Sequence, residues 1–278
     1  MLTLCAFADE SSSAFSGQID ALCRNNIPYL EIRGVDGANI KDVTPAQAKE
    51  LRKKLDDAGL AVWSMGSPIG KLHLEQDFQP HFDDFLRILE CADVLGASRV
   101  RMFSFYAAPG ATEEQTKEAV FEGLRRFQDA TPEHIVLCHE NEKKIWGETP
   151  EKCLEIHKAF PKIRAVFDPA NYVQCGVDTL AAWELLAPYV DYLHIKDAIA
   201  DGTVVPAGMG LGNLPAIVRK YRDQGGKIMT LEPHLKAFTG LDKLEDGESL
   251  KQGFTVYKNN EESFDAAVAA LRSIIETL

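Results

Sequence analysis

Four short apolar segments of the sequence each end on a side chain that can bind a metal ion: Glu140, Asp168, His194 and Glu232. Each segment has the composition of a buried β-strand and is followed by loop residues and then a helical pattern. Parallel strands joined by helical crossovers place their C-terminal ends on one side of the sheet or barrel. We therefore expect the three carboxylates and the imidazole to converge, although 28, 26 and 38 positions separate them in sequence.

The donor types at these four positions indicate a divalent metal ion. A single acidic residue at a strand end could equally cap the next helix or pair with a lysine. Three ionised carboxylates crowded at one mouth, however, repel one another and need a cation between them. Three oxygen donors with one imidazole and no thiolate suit Mn²⁺ or Mg²⁺ best and are also compatible with Co²⁺ or Zn²⁺.

Polar residues close to the predicted ligands extend the site. Alternate side chains of a strand face the same way, so Lys196 is expected on the side of His194, and His234 on the side of Glu232. Both side chains are therefore predicted to point toward a bound substrate. Asp197 could support the site or cap a loop, and its sequence position does not separate these two roles.

The elements that must position these residues alternate strand and helix eight times. The predicted strands are Leu2–Ala8, Tyr29–Gly34, Ala61–Ser67, Val100–Tyr106, His134–Asn141, Ile163–Asn171, Tyr189–Lys196 and Lys227–His234. An open doubly wound sheet usually has fewer strands and a glycine-rich phosphate loop after the first one, whereas this first strand ends in Ala8-Asp9-Glu10-Ser11. We therefore expect an α/β fold, a single (β/α)₈ TIM barrel domain over residues 1–278.

The composition excludes several classes of partner. A net charge of −12 argues against binding nucleic acid, because that affinity depends on Lys and Arg neutralising phosphates. The six cysteines include no CxxC pair and predict reduced thiols in a cytoplasmic protein. No apolar run approaches the roughly 18 residues of a membrane span, and no signal peptide is expected at the N-terminus.

Two long loops follow the last predicted strands, at Ala198–Asn213 and Leu235–Asn260. Long loops at the functional end of a barrel commonly act as lids or contact partners. Within the first loop, the glycine loop (Pro-Ala-Gly-Met-Gly-Leu-Gly, residues 206–212) is expected to be a flexible lid, with a phosphate contact at the following helix as the alternative. The second loop, with Phe238, Phe254 and Tyr257, could cover its own barrel mouth or a neighbouring subunit of a homo-oligomer.

Several motifs together resemble those of a known family. They are His-Glu-Asn-Glu (139–142), Phe-Asp-Pro-Ala-Asn (167–171), Leu-His-Ile-Lys-Asp (193–197), the glycine loop, Leu-Glu-Pro-His (231–234) and, upstream, Tyr-Leu-Glu-Ile-Arg (29–33). Through them essentially the whole chain resembles the xylose isomerase-like TIM barrel superfamily, and specifically its sugar phosphate isomerase/epimerase branch. The resemblance is specific for the superfamily and weak for the substrate.

The resemblance implies roles for the predicted site. Glu140, Asp168, His194 and Glu232 would bind one divalent metal. Glu140 and Glu232 would also be catalytic, flanking the carbon of a sugar or sugar phosphate that loses and regains a proton. The implied activity is a metal-dependent ketose epimerase or aldose–ketose isomerase working through an enediolate.

Three further side chains, Arg33, Lys196 and His234, are candidates for orienting substrate hydroxyls or stabilising the oxyanion of such a reaction. A salt bridge with Glu31 at the barrel mouth is an equally good prediction for Arg33.

Other activities of the same superfamily remain alternatives. An inosose-type dehydratase would share the first proton abstraction and then expel a β-hydroxyl group. An AP endonuclease-like hydrolase (AP endonuclease family 2) would need further histidine ligands, but Asn171 occupies the position three residues after Asp168 and residues 198–213 contain no histidine. A non-catalytic sugar-binding barrel is disfavoured because all four metal positions and both glutamates are intact.

Overall fold

A computed structural model describes residues 1–241, 253 and 255–278. Eight parallel strands form a closed barrel in which every strand pairs with its neighbours in sequence and β8 pairs with β1. The strands are β1 (Thr3–Ala6), β2 (Tyr29–Ile32), β3 (Ala61–Gly66), β4 (Arg99–Met102), β5 (Val136–Glu140), β6 (Arg164–Phe167), β7 (Val190–Ile195) and β8 (Ile228–Leu231). The predicted fold class, a single (β/α)₈ TIM barrel, is confirmed.

Helices follow the strands and surround the barrel. They are α1 (Phe15–Arg24), α2 (Pro45–Asp57), α3 (Phe78–Leu95), α4 (Glu113–Ala130), α5 (Pro150–Ala159), α6 (Pro169–Gln174), α7 (Thr179–Leu186), α8 (Leu214–Asp223) and α9 (Asn260–Glu276). Short 3-10 helices lie at Ala8–Glu10, Ile40–Asp42, Trp146–Glu148 and Ala187–Tyr189, and two-stranded ribbons pair Gly34–Val35 with Ala38–Asn39 and Asp197–Ala198 with Val204–Val205. Among these helices, none combines the length and apolarity needed to cross a membrane.

Two of the hydrophobic clusters hold the strands of the barrel in place. The larger cluster packs the helices against the outside of the strands. A separate cluster contains Cys5, Cys138, Val166, Tyr192 and Ile228, which come from five different strands and therefore meet inside the barrel. This packed interior supports a layer of polar side chains at the C-terminal ends of the strands.

Three predicted strands run three or four residues past the C-terminal end of the observed strand. The prediction Ile163–Asn171 overran, because the strand ends at Phe167 and Pro169 begins α6. Proline has no N–H for a ladder hydrogen bond, and its fixed φ suits the first turn of a helix. The predicted strands Val100–Tyr106 and Lys227–His234 likewise end at Met102 and Leu231. In the second long loop, Phe254 lies outside the described residues.

Candidate metal centre

The structure brings all four predicted ligands together at the C-terminal mouth of the barrel. Glu140 is the last residue of β5, Asp168 follows β6, His194 lies one residue before the end of β7, and Glu232 follows β8. All four side chains are buried, and one potential ligand atom from each lies within 4.8 Å of the others. The convergence of these four residues was predicted from their positions at the C-terminal ends of parallel strands, an argument called here the strand-end rule.

Their oxygen atoms fit a divalent cation. Glu140 Oε2, Asp168 Oδ2 and Glu232 Oε2 are buried and have no hydrogen-bond donor within the described part of the chain. Arg101 Nη1 lies 3.2 Å from Glu140 Oε2, and Lys196 Nζ lies 3.1 Å from Asp168 Oδ2, so ion pairs offset part of the charge without supplying well-aligned hydrogen bonds. Three such oxygens and one imidazole nitrogen are suitable ligands for Mg²⁺, Mn²⁺, Co²⁺ or Zn²⁺.

The crowding of charge is visible at Asp168. Burial raises the pKa of its carboxyl group to about 7; the Lys196 ammonium acts in the opposite direction, while repulsion from Glu232 and Glu140 adds to the increase. Lys196 alone therefore does not offset the burial of the Asp168 carboxylate, whereas a divalent ion beside it would favour the ionised form.

His194 presents a defined edge to the carboxylates. Its Nδ1 lies 3.0 Å from Glu140 Oε1 and 3.3 Å from Glu232 Oε2, while its Nε2 lies 3.2 Å from Glu31 Oε2. Burial disfavours the charged ring, but the carboxylates of Glu140 and Glu31 outweigh burial and raise the pKa of His194 well above its ordinary value. Nδ1 is therefore the nitrogen that faces the candidate metal position.

Asp168 is held by two asparagines, Asn141 and Asn171, for which the sequence analysis predicted no supporting role. The Asn141 side chain donates to the Asp168 carbonyl and accepts from its N–H, each at 2.9 Å. The Asp168 carboxylate accepts the N–H of Asn171 at 3.0 Å and thereby caps α6, and the Asn171 amide donates to the Asn141 carbonyl. Their positions, directly after Glu140 and three residues after Asp168, were the available signal.

Arg33 does not form the salt bridge with Glu31 that was one of its two predictions. Its guanidinium binds both oxygens of Asp9, at 2.9 and 3.0 Å, and donates to Glu10 at 3.2 Å and to Glu232 Oε1 at 2.8 Å. The 3-10 helix Ala8–Glu10 brings Asp9 and Glu10 within hydrogen-bond distance of Arg33. Glu31 instead points into the barrel toward His194. Arg33 therefore lies at the mouth, in contact with a candidate ligand.

Lys196 and His234 both lie beside Glu232, Lys196 directly after β7 and His234 in the loop after β8. Strand alternation does not account for the position of His234, because the strand ends at Leu231 and the φ of His234 is +47°. Lys196 is buried and lies 3.5 Å from Glu232 Oε2. His234 Nε2 lies 3.6 Å from Glu232 Oε1 and 3.4 Å from Glu10 Oε1, and neither ring nitrogen has a hydrogen bond within the described ranges. Glu10, Glu232 and His234 form a second group with ligand spacing. Arg33 already supplies a cation to both of these acids.

Asp197 has a clear role in the structure. Its carboxylate accepts the N–H groups of Gly208, Gly210 and Gly212 at 2.9, 3.0 and 2.9 Å, and that of Ala198 at 2.9 Å. A Cβ at Gly210 or Gly212 would overlap this carboxylate. The glycine loop, which the sequence predicted to be a flexible lid, is therefore anchored to the end of β7 by one side chain.

Solved structures with the same architecture are numerous. The probable 3-DHS dehydratase AsbF from Bacillus anthracis is 15% identical in sequence and superposes with a TM-score of 0.74. The alignment covers 98% of this chain and 99% of the AsbF chain. A D-psicose 3-epimerase studied with D-fructose shares 14% identity, 98% coverage of both chains and a TM-score of 0.73. The IOLI protein with a bound zinc atom shares 15% identity, 99% coverage of both chains and a TM-score of 0.74. At these identities the similarity shows the fold.

A comparison with curated protein sequences gave no match. The profile of one protein family matches residues 22–274, which include every barrel strand except β1 and all four candidate ligands. With this match and the closed barrel, the chain belongs to the xylose isomerase-like TIM barrel family.

Proposed function

We propose that this protein is a metal-dependent isomerase or epimerase of a free or phosphorylated ketose, or of a small hydroxy-keto acid. The observation that carries the proposal is the placement of two glutamates around one imidazole nitrogen. Glu140 and Glu232 come from strands separated by β6 and β7, and their carboxylates lie 3.0 and 3.3 Å from His194 Nδ1. Such a pair can approach one substrate carbon from two sides.

Each of these glutamates is also paired with an arginine. Arg101 Nη1 lies 3.2 Å from Glu140 Oε2, and Arg33 Nη1 lies 2.8 Å from Glu232 Oε1. A guanidinium at this distance holds a carboxylate in one orientation. Both glutamates are thereby fixed in position around the candidate metal centre.

The reaction follows from these positions. Glu140, Asp168, His194 and Glu232 would hold the metal, Mn²⁺ or Mg²⁺ by donor type, which when bound supplies Lewis acidity next to the substrate carbonyl. One glutamate removes the proton from the carbon beside the carbonyl, giving an enediolate. In this proposal Lys196 donates to its oxygen, and Arg33 and His234 orient the remaining hydroxyls. The opposing glutamate returns a proton to the other face or to the adjacent carbon.

A dehydratase is the second candidate, supported by the shared fold with the probable 3-DHS dehydratase. It would use the same base for the first step and then expel a β-hydroxyl group as water. The two candidates therefore differ in the fate of the enediolate, which a product assay can follow.

Incubation of the Mn²⁺-loaded protein with a panel of ketoses and hydroxy-keto acids in D₂O tests the proposal. We expect deuterium at the carbon next to the carbonyl of at least one compound, detected by NMR, and no exchange after metal removal with a chelator. A new enone absorbance would assign the dehydratase instead. A broad panel without exchange would contradict both. The cytoplasmic location and the homo-oligomer remain predictions.

A further inference from the structure

A buried carboxylate lies beneath the candidate metal ligands. Glu31, on β2, has no exposed surface and reaches His194 Nε2 with its Oε2 at 3.2 Å. Its other oxygen, Oε1, accepts the hydroxyl of Tyr192 at 2.8 Å. Both oxygens of this carboxylate therefore have defined partners inside the barrel.

The hydrogen bonds around Glu31 can be assigned in direction. A tyrosine hydroxyl has one proton, and Tyr192 must donate it to Glu31, because an ionised carboxylate only accepts. Ser64 Oγ, 3.2 Å from the Tyr192 hydroxyl, is then the donor of that contact. Three strands, β2, β3 and β7, thus fix the carboxylate in one orientation.

The contacts of His194 define the tautomer that a metal-bound ring would have. A metal ion among the four candidate ligands would take the lone pair of Nδ1, and the one proton of the neutral ring would then lie on Nε2, where Glu31 Oε2 can accept it. Nδ1 is the nitrogen that faces Glu140 and Glu232. Carboxylates in this position orient a histidine ligand and increase its basicity, and their loss weakens metal binding.

We propose that Glu31 is a positioning residue that holds His194 with its Nδ1 lone pair directed at the metal. The inference rests on the proposed metal centre and adds a residue that contacts neither the metal position nor the substrate. A purely structural role, as a buried counter-charge, would instead change the stability of the protein without changing the affinity of the folded protein for metal.

Titration of the protein with Mn²⁺ tests the proposal, with affinity measured by competition against a fluorescent chelator. Glu31→Gln is expected to weaken Mn²⁺ binding by about 10- to 100-fold. Tyr192→Phe keeps the carboxylate on His194 but removes its second hydrogen bond, so a smaller loss is expected. Circular dichroism and unfolding in chelator establish that each variant is folded.

Two variants serve as matched controls. Tyr221→Phe removes a buried hydroxyl whose oxygen lies 2.9 Å from the carbonyl oxygens of both Asp191 and Ile228, away from Glu31. Glu142→Gln removes a carboxylate near the mouth that pairs with Lys71 at 3.0 Å and not with His194. Tyr221→Phe should leave the affinity unchanged, and Glu142→Gln should reduce it less than Glu31→Gln does.

A second readout reports the tautomer directly. In ¹⁵N spectra of the Zn²⁺-loaded wild-type protein, His194 should have a protonated Nε2 and a metal-bound Nδ1. Metal on Nε2, or a folded Glu31→Gln variant that binds Mn²⁺ within threefold of the wild type, would overturn the role of Glu31. The wild-type spectrum decides the matter even where Glu31→Gln does not fold. Wild-type protein that binds no divalent ion would overturn the metal centre itself.

Discussion

Arg33 Nη1 lies 2.8 Å from Glu232 Oε1, and this contact joins the end of β2 to the end of β8. The same guanidinium binds both oxygens of Asp9, which follows β1. Arg33 therefore links the first, second and last strands of the barrel at the mouth. All three side chains are buried, so each charge depends on its partners for compensation.

Replacing Arg33 by Met is expected to lower the free energy of unfolding by about 3–5 kcal/mol, because buried carboxylates would lose their partner. Urea denaturation followed by circular dichroism measures the change. Arg24→Met is the control: Arg24 pairs with Asp265 at 3.0 Å, with the two side chains 38% and 41% exposed. Exposed pairs contribute about 0–1 kcal/mol, so equal losses in the two variants would contradict the account.

Stability should depend on pH through His81. Its Nε2 accepts the N–H of Gly70 at 2.8 Å, which requires a neutral ring nitrogen. Burial lowers the pKa of His81 from 6.5 to about 4, with Asp84 opposing and Lys41 reinforcing the decrease. The imidazole of His81 therefore binds a proton more tightly in the unfolded chain than in the folded protein. The contribution of neutral His81 to the free energy of unfolding is fully present above pH 6.5 and is lost as the pH falls through about 4.

Unfolding free energies measured across this pH range test the assignment to His81. His81→Gln, whose amide oxygen can accept the same hydrogen bond, should flatten the pH dependence. The control His134→Gln changes a side chain that is 64% exposed and should retain the wild-type curve. Identical curves for both variants would show that His81 does not contribute.

Asp197→Asn should loosen the glycine loop. The amide has one acceptor oxygen where the carboxylate has two, so an N–H of this loop loses its partner, at a cost of about 1–3 kcal/mol. Amide hydrogen exchange across the loop should become faster. Asp178→Asn, a change in the N-cap of α7, should leave the loop's exchange unchanged. Unaltered exchange in Asp197→Asn would mean that other contacts hold the loop.

The strand-end rule predicted the barrel and the convergence of Glu140, Asp168, His194 and Glu232 because parallel strands share one direction. It depends only on periodicity and on the C-terminal position of each residue. The same argument placed Lys196 correctly, since it lies two residues after His194.

Residue partners were harder to predict because they depend on how far each side chain reaches. Arg33 and Glu31 lie two residues apart, which suggested a pair, but Arg33 reaches the acids of the 3-10 helix while Glu31 reaches inward to His194. Arg101, which pairs with Glu140, carried a signal that was not used: an arginine between the buried Val100 and Met102 must point into the barrel.

We propose that Glu140 and Glu232 transfer a proton at a metal-bound site. The most direct test of this proposal follows deuterium from D₂O into a substrate that the wild-type protein turns over, with bound Mn²⁺ measured in the same samples. We predict exchange in the wild-type protein, and a loss of at least 100-fold, on the order of one general acid–base contribution, in Mn²⁺-loaded Glu140→Gln and Glu232→Gln. Exchange that persists at the wild-type rate in both variants would show that neither glutamate transfers the proton.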